Sequence, residues 1–229
     1  MGKKDSDYNV INIYEIQPMS PHKIEENRHN QPISTKDVIQ YKQVGVYMDN
    51  MKNEEKCAEA AKYIVFNILK SGFNDIDNTR IMVEMNFQGN NWVTKFQNHP
   101  MFYNALLLKT FRTSSSQKTA ANAKDKPKAL IGYVTKAGSR GKNYYCELGA
   151  EMIDKRQIII MQKHDDINKS TFGEISQFCK KQNKNTYAGQ GCHDDLASST
   201  LFISIVPEAS GFTQWINDWL ESIAYIPKV

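Results

Sequence analysis

Short apolar runs rich in β-branched residues recur along this chain, and between them lie longer runs whose apolar residues return every three or four positions. Tyr8–Ile16 alternates Val10, Ile11, Ile13, Tyr14 and Ile16, a strand pattern. Further strands are predicted at about Gln43–Met48, at "RIMVEM" (80–85), at "ALIGYVT" and at "QIIIM" (157–161). Residues 54–70 place Cys57, Ala58, Ala61, Ile64, Val65, Ile68 and Leu69 at helical spacing, with Asn53 and Gly72 as caps. Helices are also predicted at Lys142–Lys155, Thr171–Lys180, Leu196–Val206 and Thr213–Tyr225. Two periods alternating in one chain demand an α/β domain, with a mixed sheet covered by helices. Residues 17–37, with three prolines, and 112–128, rich in Ser, Lys, Ala and Asn, read as loops. The C-terminal helix falls within 207–229.

At 229 residues the chain is long enough for one sizeable domain, and 1–229 is read as a single one. Four cysteines, at 57, 146, 179 and 192, form no CxxC pair, which argues against a zinc site and for a reducing compartment. The apolar stretch Leu201–Val206, interrupted by Ser204, is far below the ~20 residues of a membrane span. "MGKKDS" fits a myristoylation pattern, but nothing else points to a membrane.

Three constellations carry chemistry. "IMVEMNFQGN" ends an apolar strand in Glu84, followed by Asn86, and ligands of open α/β sheets collect outside strand ends. An acid there also pairs readily with a nearby lysine or stays solvated. The tripeptide His-Asp-Asp occurs twice. His164-Asp165-Asp166 reads as a loop, with Ser170 or Thr171 capping the next helix. His193-Asp194-Asp195 instead opens an apolar helix through Leu196, Thr200, Leu201, Ile203 and Ile205. One acid at a helix start serves the cap and the dipole; two exceed that need, and an acid pair at the edge of a core suits a hard divalent cation. Third, Lys118, Lys124, Lys126, Lys128, Lys136, Arg140 and Lys142 face a single acid, Asp125, over 25 positions rich in glycine. Such a stretch is either a solvated loop or a phosphate-contacting surface. Trp215 and Trp219, with Ile216, Leu220 and Ile223, make a packing stripe.

The order of these pieces resembles one family. "DYNVINIYEI", "YKQVGVYMDN", a long helix, "RIMVEMNFQGN", "GYVTKAGSRGK", "QIIIM", "TFGEISQF" and "GCHDDLASSTLF" together look like the C-terminal nuclease domain of the large terminase subunit of tailed bacteriophages, over residues 7 to 206. The resemblance implies an RNase H-like fold and metal-dependent cutting of double-stranded DNA during genome packaging. It implies that Glu84, Asp195 and Asp194 hold two Mg²⁺ or Mn²⁺ ions, with Asp195 as the family's last carboxylate. His193 and Asn86 would stand behind them, and the basic stretch would contact DNA. It also implies, as partners, the ATPase portion of terminase on another chain, the portal and the small terminase subunit, in the host cell cytoplasm.

The chain also departs from that pattern. The family's first strand ends in a metal-binding aspartate, and here the chain opens "MGKKDSDY", within the following loop. Asp7 is the candidate stand-in for that ligand, although it does not sit on a strand end. No GxxxxGK[ST] phosphate loop occurs. A central strand of about five buried side chains at ~1.5–3 kcal/mol each carries about 10 kcal/mol, comparable with a domain's whole stability of ~5–15 kcal/mol. The expectation is a divided terminase, its strand supplied by another polypeptide. Two alternatives stay open: a DNA-binding and docking part without activity of its own, and another RNase H-like enzyme such as a resolvase. If the strand is missing, the isolated chain melts broadly and at low temperature; a cooperative melt of ordinary stability overturns that expectation.

Overall fold

The computed structural model describes residues 9–28, 34–49, 54–71, 78–84, 93–94, 98, 106–111, 129–133, 141–160, 166–181, 186–189 and 194–223. The chain is mixed α/β, with a small open sheet flanked by helices. It divides into two compact units, one built from 10–48, 143–207 and 211–229, the other from 1–9, 49–142 and 208–210.

The first unit is organised around a strand buried in alternation. β1 (Asn9–Pro18) and β2 (Ile39–Asp49) follow the β-branched runs, and β2 lies between β1 and β7 (Ile158–Ile159). β2 runs parallel to β7, with Tyr41 opposite Ile158 and Lys42 opposite Ile159. Ile39, Tyr41 and Gln43 are buried while their neighbours are partly open, the period of two that a pleated strand imposes. The third buried position is an amide rather than a hydrocarbon.

The loop expected over 17–37 is partly helical. α1 (Pro21–Arg28) starts on a proline, whose fixed φ suits the first helical position and whose missing N–H is no loss there. Ile24 anchors it in the core, and Met19 N–H donates to Val38 O at 2.8 Å, closing the segment onto β2. A 3₁₀ turn over Thr35–Asp37 precedes β2, with Ser34 N–H on the Asp37 carboxylate at 2.9 Å.

The predicted helix at Lys142–Lys155 is α3 (Lys142–Asp154), which buries Tyr145, Cys146, Gly149 and Met152 as one stripe. It ends on Arg156 in the left-handed region, φ 55°. Gln157 N–H reaches back to Met152 O at 2.7 Å and Arg156 N–H to Ile153 O at 2.9 Å, the paired bonds of a Schellman stop. That stop delivers Gln157 to β2, where its carbonyl accepts from Tyr41 N–H at 2.6 Å, and β7 follows at once.

The helix expected at Thr171–Lys180 is shifted. α4 (Asp166–Ser176) begins earlier, so Ser170 and Thr171 lie inside it rather than at its cap, and Thr171 is buried. The remainder, β8 (Phe178–Lys181), turns into a hairpin with β9 (Thr186–Gly189), where Phe178 stacks on Tyr187. Cross-strand aromatic pairing outweighs the helical propensity of the lysines. The helix expected at Leu196–Val206 is also split: α5 (Asp195–Leu201) gives way to a 3₁₀ segment, Phe202–Glu208, that contains Pro207. α6 (Phe212–Ser222) buries Phe212, Ile216 and Leu220, so Trp215 and Trp219 flank the packed stripe instead of forming it.

In the other unit, α2 (Glu54–Lys70) matches the predicted helix. β3 (Arg80–Ile81) runs parallel to β4 (Leu106–Leu107), and β5 (Lys109–Phe111) antiparallel to β6 (Ala129–Ile131). Of the strand expected over 80–85, the described residues are regular at Arg80–Ile81, and Glu84 makes an isolated parallel bridge with Tyr133.

α3 and α5 touch at a point with no room to spare. A Cβ on Gly149 would stand 2.8 Å from Leu201 Cδ2 and 3.1 Å from the Leu201 carbonyl oxygen. The leucine tip could move, but the carbonyl belongs to the helix backbone. Gly149→Ala is therefore expected to destabilise the chain by about 1–3 kcal/mol, the range of overpacked cores. A thermal melt lowered by several degrees checks this; an unchanged melting temperature rejects the close contact.

Candidate active site

The first turn of α5 carries the acid pair picked out in the sequence. Asp194 occupies the N-cap position and Asp195 is the first helical residue, both half-buried. The ordinary use of an aspartate there is to accept the unpaired N–H groups of the first turn. Asp194 makes no such side-chain bond. The cap comes from elsewhere: Glu174 Oε2, on α4, accepts Leu196 N–H at 2.9 Å and Ala197 N–H at 3.2 Å. A residue more than twenty positions earlier thus does the work for which a local acid would suffice, and the need for a cap does not explain the aspartates.

Three carboxylates consequently share one field. The Glu174 carboxyl is pushed up from its ordinary range, first by burial, and further by the negative charges of Asp195 and Asp194; the two backbone N–H groups pull the other way. Glu174 is the residue that reading the sequence missed. Its one signal is position: it lies three residues after the buried Thr171, on the helix face turned to the core.

The body of α5 is pinned as firmly as its start. Asn12 Nδ2 on β1 donates to Ser199 Oγ at 2.8 Å, and Tyr14 OH, two residues along the same strand face, donates to the Thr200 carbonyl at 3.2 Å. Gln43 Nε2 on β2 donates to Asn12 Oδ1 at 2.7 Å. On the side of α3, Ser204 Oγ donates to Tyr145 O at 2.9 Å, and the Tyr145 ring meets Phe202 edge-on at 5.7 Å. Leu196, Ala197, Thr200 and Leu201 are buried.

Glu84 belongs to the other unit, where its side chain is exposed and its backbone is held beside Tyr133, whose N–H donates to Val83 O at 2.9 Å. Lys142 begins α3 and is half-buried. Asp7, Asn86 and His193 lie outside the described residues, as do Lys118, Lys124, Lys126, Lys128, Lys136 and Arg140.

The acidic donors described at the mouth of α5 are carboxylate oxygens, a donor type that suits a hard divalent cation such as Mg²⁺ or Mn²⁺. Among the described residues, no group of three His, Cys, Asp or Glu side chains is arranged to hold a metal ion. Nor is any described helix long and apolar enough to cross a membrane. Comparison of the chain with protein-family models, curated proteins and solved structures returned no match.

The raised Glu174 carboxyl has a consequence with a definite sign. The folded state holds the proton more tightly than the unfolded chain, so this group's burden on stability grows as pH rises above the ordinary carboxyl value and is fully present above the folded one. Glu174→Gln keeps an acceptor oxygen and loses the charge. Relative to that variant, the wild type is expected to gain stability as pH falls from neutral toward about 4.5. Melting temperatures of both proteins across that range check it, and parallel curves would count against the assignment.

Proposed function

We propose that this chain is a metal-dependent endonuclease domain of the phage large-terminase type, cutting double-stranded DNA. The observation that carries the reading is the relation between α5 and Glu174. A short, buried helix presents two adjacent carboxylates at its first turn, and a third carboxylate supplies the cap that either of them could have supplied. Glu174 feels the negative charge of both aspartates, and a divalent cation is the positive partner this reading assigns to the group.

In this reading Asp195 and Asp194 hold divalent cations from the mouth of α5, and the sequence resemblance alone implies a metal-binding role for Glu84. Bound as a pair, such ions supply activation of a water nucleophile and stabilisation of the leaving oxygen. The task of the protein is to hold the acids still, and the bonds from β1 and α4 to α5 serve it. The basic residues from Lys118 to Lys142 would neutralise phosphates, which makes binding to duplex DNA weaken steeply with salt.

Purified chain incubated with plasmid DNA and Mn²⁺ tests the proposal, beside Asp195→Ala and Glu84→Ala. Wild-type cleavage is expected to fall more than about a hundredfold in each variant, since even residues behind the ligands are worth 10–100-fold. Equal cleavage by wild type and Asp195→Ala rejects the proposal. A folded wild type that binds duplex DNA without cutting it favours a docking part whose activity resides with a partner. Preference for branched over linear DNA favours a resolvase-type enzyme.

A further inference from the structure

The packing of α2 leaves one side of the helix open, and that side carries aromatic rings. Ala61 is buried and Ile64 and Val65 are half-buried, so these residues mark the packed side. Glu59, Tyr63, Phe66, Asn67 and Lys70 are exposed and form one stripe at the helical spacing of three and four. Tyr63 is 69% exposed and Phe66 37%. Phe172 and Ile223, the other large apolar side chains left open among the described residues, stand singly on α4 and just past α6. Tyr63 and Phe66 are the pair that share a face.

The charge around the two rings is positive. Glu59, the acid of the stripe, is paired with Lys62 at 2.8 Å. Lys70 Nζ stands 5.9 Å from the centre of the Phe66 ring, within reach of a cation–π contact. The compact unit that contains α2 carries 17 Lys and Arg against 11 Asp and Glu, whereas the other unit carries 12 against 14. The excess of positive charge therefore belongs to the unit that shows the open rings, and a polyanion complements it.

The open area is too small for a protein partner. A whole aromatic side chain presents ~150–250 Å², so the exposed parts of Tyr63 and Phe66 amount to about 200 Å². A stable protein interface takes about 800 Å² from each side. A nucleobase needs a single ring to stack on, and single strands are bound by this combination of aromatic rings and basic side chains. The bases of a duplex already stack on one another and leave the rings nothing to cover. We infer that the Tyr63–Phe66–Lys70 face of α2 binds single-stranded nucleic acid, its rings stacking on bases and Lys70 meeting a phosphate. The inference goes beyond the nuclease reading and uses neither the acid pair nor a metal ion.

Fluorescence anisotropy of the full chain with labelled oligothymidylate, oligouridylate and a DNA duplex, all without metal, tests it. Tyr63→Ala and Phe66→Ala are each expected to weaken single-strand binding about five- to a hundredfold, the range of lost base–aromatic stacking. Tyr63→Phe keeps the ring and should bind as the wild type does. Lys70→Ala should flatten the slope of log affinity against log salt by about 0.7, one phosphate contact, and the ring variants should leave that slope unchanged. Tyr63 is mostly exposed, so Tyr63→Ala should melt at the wild-type temperature. Either single strand responding in this way supports the inference, and the tighter one names the ligand as DNA or RNA. A wild type that binds neither single strand, or a Tyr63→Ala variant that binds them as the wild type does, overturns it. Equal weakening of duplex binding by the ring variants also overturns it, because the rings would then touch backbone instead of bases. So does a wild-type dimer in sedimentation that Tyr63→Ala dissolves, which would give the face to a second copy of the chain.

Discussion

A helix of seven residues has almost no stability of its own, since nucleating the first turn fixes several residues for one hydrogen bond. α5 is such a helix, and the acid pair rides on its first turn. Its first-turn N–H groups of Leu196 and Ala197 are taken by the Glu174 carboxylate, which the packing of α4 brings within reach, and Leu196, Ala197, Thr200 and Leu201 are buried. Without that carboxylate the aspartates would be drawn into capping, the commonest use of an acid at this position.

The rest of the first unit serves the same helix from other sides. The Schellman stop at Arg156 and Gln157 ends α3 abruptly enough for β7 to pair with the central strand. α3 then lies where Gly149 meets Leu201 at backbone distance. On the sheet side, β1 and β2 contribute amides and a phenol instead of a continuous apolar surface. Polar bonds are directional where hydrophobic contact is not, so this layer joins strand and helix through particular atoms. A helix held this way can keep two like charges adjacent against their mutual repulsion.

Much of this was legible before any fold was known. The spacing of apolar residues located α2 and α3 to within a residue or two, because 54–70 and 142–155 are long enough for the helical period to stand out. The strands at residues 9–18 and 39–49 announced themselves through β-branched content. Shorter or contextual elements did not. α1 was hidden among prolines that read as loop, although one of them begins it. Phe178–Lys180, most of β8, reads as the end of a helix, since the strand is held by a stacked Phe178–Tyr187 pair whose members lie nine positions apart. The change from α5 to a 3₁₀ segment at Phe202 likewise leaves no period to detect in seven residues.

The candidate site divides along the same line. The sequence alone determined that two aspartates stand at the mouth of an apolar helix, because adjacency in the chain and helical periodicity are local properties. Only the tertiary structure decided that Glu174 caps that helix, that Gln43 bonds to Asn12 and Asn12 to Ser199 on it, and that the Asp194 side chain makes no cap bond. Those contacts join residues 22, 187 and 31 positions apart. Their formation depends on which elements the buried core brings together, and no short-range pattern in a chain encodes that.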